Sequence, residues 1–80
     1  MDDVRGEPIK VGHRPRGVAV GEGSVWVANA GDATVTRIDP TGRIAGKPIK
    51  VGQDPIGIAV GAGAVWTANF RAGTVTRIRP

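Results

Sequence analysis

Eighty residues without a cysteine make one small domain at most and leave no disulfide to hold it. A chain of that size buries only about 60% of the surface its unfolded form exposes, so burial against further copies is the remaining way to stabilise it. The net charge is +4 and the pI near 10.8, but Arg5, Lys10, Arg37, Lys50 and Arg77 are dispersed singly, which argues against a nucleic-acid face.

In chain order, the sequence opens with MDDVRGEP, which has no signal-peptide pattern, and no apolar run is long enough for a membrane span. PIKVG (8–12) reads as a strand and is followed by the loop GHRPRG. GVAVG (17–21) is a short apolar strand. The pair EG (22–23) turns it into SVWVAN (24–29), and AGDA (30–33) turns that into TVTRID (34–39). DPTG (39–42) has the chemistry of a type I turn, with Asp first, Pro second and Gly last. PTGRIAG then connects to KPIKVG (47–52), a fourth strand. Thirteen glycines and 6 prolines punctuate the chain, and no segment carries helix formers at a 3.6-residue period.

The pattern then repeats. Aligning residues 6–40 with 46–80 gives 35 pairs, of which 13 differ and 22 are identical. A period of 40 residues built only from strands and turns predicts propeller blades. GVAVG and SVWVA are apolar in both alternating phases, as expected of strands covered on both faces by neighbouring blades.

VWVANAGDATVTRIDPTGRI followed by IKVGQDPIGIAV resembles the YVTN-type propeller repeat, and is similar also to NHL-type and streptogramin-lyase-type propellers. Trp26 and Trp66 take the motif's aromatic position and Asn29 and Asn69 its asparagine; Thr67 in place of Val and Arg79 in place of Asp are the departures. The resemblance covers residues 6–80 and implies four-stranded blades in the order innermost to outermost. The expected fold is therefore all-β, with two propeller blades per chain. Residues 1–45 form the first repeat, whose outer strand is supplied to a neighbour. Residues 46–80 form the second, which begins with the outer strand of blade one.

Two blades do not close a ring, and repeat units generally need three copies to bury a continuous core. The second blade lacks a fourth strand while 8–12 is spare, so the expectation is a homo-oligomer in which 8–12 of one chain completes the second blade of the next. Three chains would give six blades, the favoured arrangement, and four would give eight. The repeat-aligned ends fit a two-blade piece excised or engineered from a larger propeller.

The chemistry expected is sparse. His13 is the single histidine and its counterpart is Gln53; Glu7, Glu22, Asp32, Asp39 and Asp54 fall mostly in turns without a partner at fixed spacing. No nucleophile–base pair, cofactor or metal is predicted, and the reading is non-catalytic. GEGSVW (21–26) lacks the third glycine and the helix of a nucleotide-binding fingerprint. Trp26 and Trp66 read as packing between blades.

The loops GHRPRG, GQDPIG, ANAGDA and ANFRAG share one end of a blade pair, and they hold seven of the 13 differences, at 13, 14, 16 and 30–33. A small-molecule or glycan site on that rim would draw on His13, Arg14, Arg16, Asn29, Asp32, Gln53, Asp54, Asn69, Phe70 and Arg71. The leading expectation is a self-assembling scaffold, the second a ligand- or glycan-binding sensor, and the third a vestigial lyase-like enzyme that would need a metal. The residues specify no compartment.

Overall fold

A computed structural model describes residues 6–80, so the opening residues of the first repeat lie outside the description. Among the described residues there is no helix. Seven strands form two antiparallel sheets. The first contains β1 (Pro15–Gly21), β2 (Ser24–Asn29), β3 (Thr34–Ile38) and β4 (Ile49–Lys50), in that spatial order; the second contains β5 (Pro55–Gly61), β6 (Ala64–Asn69) and β7 (Thr74–Ile78).

The register of the second sheet is that of the first shifted by forty residues. Val18 faces Val27 and Val27 faces Thr36, just as Ile58 faces Thr67 and Thr67 faces Thr76. Each sheet also has the same irregularity near its start, at Pro15/Gly17 and at Pro55/Gly57. Proline has no N–H to give to a ladder, so it is tolerated at a strand's first residue and at bulges.

Turn chemistry explains the hairpins. Glu22 and Gly23 have φ of 50° and 73°, and Ala62 and Gly63 have 52° and 73°; two positive values are the two-residue turn that matches the right-handed twist of its strands. DPTG closes as expected: the Gly42 amide donates to the Asp39 carbonyl at 2.9 Å, and Asp39 Oδ1 accepts from the Thr41 amide, the Thr41 hydroxyl and the Arg43 amide. These donors, the Thr41 hydroxyl foremost, hold the Asp39 carboxyl below its ordinary value.

PIKVG (8–12), expected as a strand, forms none because it joins no ladder among the described residues, and other strand bounds differ as well. β1 begins two residues earlier than GVAVG, at Pro15, and β3 stops at Ile38 because Asp39 opens the turn. β4 shrinks from KPIKVG to Ile49–Lys50, pairing Val35 with Ile49 and Thr34 with Lys50; the Val51 amide extends the contact to the Ala33 carbonyl at 2.9 Å.

The core lies between the sheets. Trp26 and Val35 on the rear face of the first meet Val65 and Ile78 on the front of the second, with Ile49, Val51, Ile58 and Val60 packed around them. Alternation places Gly17, Ala19, Gly21, Trp26, Ala28 and Val35 on one face and Val18, Val20, Val25 and Val27 on the other. Two apolar surfaces are left: the front of β1, with Val18 64% and Val20 77% exposed, and the rear of the second sheet, where Val75 is 65% exposed.

Candidate functional site

The loops that differ between repeats do come together at one end. In the first repeat the Ala30 and Gly31 amides donate to the carbonyls of Arg14 and His13, binding the β2–β3 loop to the segment before β1. Side chains reinforce the join: the His13 amide donates to Asp32 Oδ2 at 2.9 Å and His13 Nδ1 to Asp32 Oδ1 at 2.7 Å. The His13 backbone bond, followed by its side-chain bond, holds the Asp32 carboxyl below its usual value of 3.8. In the second repeat the Phe70 amide still donates to the Asp54 carbonyl at 2.8 Å, but Gln53 and Ala72 replace the His–Asp pair.

Arg14 and Asp54 occupy equivalent positions with φ of 53° and 59°, left-handed values that a non-glycine residue seldom adopts. The two halves of the rim enclose a polar cleft of about 380 Å³, lined among others by Arg14, Gly31, Asp32, Gln53, Asp54 and Arg71. Arg71 Nε lies 3.9 Å from Asp54 Oδ2, a loose ion contact. Five of the expected site residues therefore share one concavity. His13 belongs to the rim but lies outside the cleft lining, Arg16 is exposed on β1, and Phe70 is exposed on the β6–β7 loop.

Asn29 and Asn69 are instead interior residues. Asn29 Nδ2 donates to the Thr34 and Thr36 hydroxyls while Oδ1 accepts the Gly12 amide at 3.2 Å. Asn69 Nδ2 donates to Thr74 and Thr76, and its Oδ1 accepts the Thr67 hydroxyl at 2.9 Å. Both carboxamides spend their polar atoms tying strands together. The recurrence of one Asn followed by Thr at five and seven residues, in both repeats, was the sequence signal for this role.

A second structural group was missed as well. Arg37 stacks over Trp26 with its guanidinium carbon 4.9 Å from the ring centroid, and its Nε donates to the Ser24 hydroxyl. Trp26 and Trp66 each donate Nε1–H to a glycine carbonyl, Gly21 and Gly61, at 2.9 Å.

Among the described residues no group of three or more His, Asp or Glu side chains is placed to hold a metal ion. The rim can offer guanidinium donors, a carboxamide and carboxylates to a small polar ligand. The architecture is all-β, two antiparallel sheets packed face to face. No protein-family model matches the chain, and no curated protein does either.

Proposed function

We propose that the chain is a non-catalytic scaffold unit, two propeller blades of YVTN type, that closes into a ring with further copies of itself. The observation that carries this reading is an edge with no partner beside a segment with no strand. β3 is covered by β4, whereas β7 ends the second sheet; and residues 8–11, the counterparts of 48–51, pair with no strand among the described residues. Transferring the β3–β4 register by forty residues sets Ile9 of one copy against Val75 of the next and Lys10 against Thr74, with the Val11 amide reaching the Gly73 carbonyl.

The approach to β1 supports the same route. Gly12 packs against Asn29 as Gly52 packs against Asn69: a Cβ at either glycine would lie within 2.9 Å of carboxamide atoms. The linker before β1 thus has the shape of the linker that follows a fourth strand, although among the described residues no sheet precedes it.

Light scattering on a size-exclusion column tests the reading. A trimer gives six blades and a tetramer eight, either supporting the ring; a folded monomer of 8.2 kDa at all concentrations overturns it. The cleft between Arg14, Asp32, Gln53, Asp54 and Arg71 favours a second reading, a rim that binds a small polar molecule or glycan. A glycan array tests that reading, and uniform silence there leaves the scaffold alone.

A further inference from the structure

The chain contains one filled contact between its sheets, and the two halves of a second, unfilled one. In the filled contact β5 turns Ile58 and Val60 toward β1, where glycines leave room for them. A Cβ at Gly17 would lie 3.1 Å from Ile58 Cγ2, and one at Gly21 would lie 2.5 Å from Val60 Cγ1. The side chains of one strand occupy space that Cβ atoms of the other would need.

Moving forty residues along yields the unfilled halves. The sockets recur as Gly57 and Gly61 on the rear of β5: a Cβ at Gly57 would meet only Ala68, at 3.6 Å, and one at Gly61 would meet nothing within 4 Å. Neither glycine has a positive φ, so the backbone does not demand glycine there. The knobs recur as Val18 and Val20, the two exposed valines on the front of β1. The surface beside the sockets is apolar too: Trp66 is half-buried and Ala68 and Val75 are exposed where Trp26, Ala28 and Val35 are sealed by the second sheet.

We infer that the rear face of β5 docks the front face of β1 from a second copy of this chain, with Val18 seated over Gly57 and Val20 over Gly61. This rests on the assembly reading above and adds the contact face, its register and its direction. The occupant is this chain because its own knobs repeat, at the same spacing, the pair that fills the equivalent sockets inside it. The contact is head-to-tail, since sockets and knobs lie on opposite ends of the molecule. It differs from the internal contact at two facing positions: Val18 stands where Ile58 stands and is one methylene smaller, and Val27 beside it stands where Thr67 does.

Two variants test this without touching the internal contact. Gly61→Val fills an open socket, and Val20→Asp charges an exposed knob. Each is expected to keep the circular-dichroism spectrum of the folded chain while weakening self-association about tenfold or more, read by dilution in sedimentation experiments. Mixed together they are expected to form a 1:1 complex of twice 8.2 kDa and nothing larger, because each retains the half that the other lacks. Gly21→Val is the control: it invades the space of Val60 and unfolds or loosens the chain itself.

If the unaltered chain assembles and both variants assemble equally well, the docking face is wrong while the assembly reading survives. A chain that stays monomeric at every concentration overturns the assembly reading, and this inference with it.

Discussion

The two sheets share their strand register and differ in what covers them. Val35 is fully buried and its counterpart Val75 is 65% exposed, although TVTRI is the same five residues in both. Local sequence sets hairpin register through turn type and alternation. Burial is decided by the neighbour, and of the two rear faces only that of the first sheet meets one among the described residues.

The tryptophans give the largest expected effect. Trp26→Ala removes a fully buried aromatic and its bond to the Gly21 carbonyl, at a cost of about 3–5 kcal/mol, much of the stability of so small a domain. Trp66→Ala removes the same side chain from the open face and costs distinctly less when both variants are unfolded by denaturant at dilutions where copies do not associate. Equal costs would break the comparison. If copies pack as proposed, raising the protein concentration narrows the gap, because a covered rear face would make Trp66 behave like Trp26.

A smaller difference is expected at the asparagines. Asn29→Ala strands the Thr34 and Thr36 hydroxyls and the Gly12 amide, a loss of about 1–3 kcal/mol. Because Asn29 also anchors the segment before β1, the Gly12 amide should lose its hydrogen-exchange protection. Asn69→Ala should leave that amide protected. If Gly12 exchanges at the same rate in both variants, the anchor lies elsewhere.

Much of this was legible beforehand. SVWVAN reads as a strand because Val and Trp suit a pleated surface and EG and AGDA punctuate it, and it spans Ser24–Asn29 as expected. KPIKVG shrank to two residues because an outer strand has one ladder only, and proline at 48 cannot donate to it. The His13–Asp32 clasp was not foreseen, since 19 residues separate its members and loop residues carry no periodicity. Its trace was that both positions change together between repeats, to Gln53 and Ala72. Treating Asn29 and Asn69 as rim residues followed from their place at strand ends. That place says nothing about which way a side chain turns.

The β2–β3 and β6–β7 loops allow a reciprocal exchange. Ala33 holds φ of 57° where Gly73 holds 68°, in the same turn. A left-handed residue with a Cβ costs about 1 kcal/mol, partly offset by the extra freedom of an unfolded glycine. Ala33→Gly should therefore stabilise the chain by about 0.5 kcal/mol, and Gly73→Ala should destabilise it by a similar amount. Thermal midpoints moving in the same direction would refute the equivalence of the loops.

The smallest effect belongs to the clasp, because it is exposed. Asp32 titrates below 3.8 in the folded chain, so its bonds to His13 contribute fully above that value and are lost as the pH falls through the lower, folded one. Carboxyl carbon shifts should place the Asp32 midpoint below 3.8, with the Ala30 and Gly31 amides loosening in the same window. His13→Ala removes the ring but keeps the backbone N–H, the larger cause, so the midpoint should return only part of the way. A complete return would show that the ring, and not the backbone, holds the carboxylate. The second repeat has alanine at the position equivalent to Asp32 and glutamine at that of His13, so it cannot form this clasp.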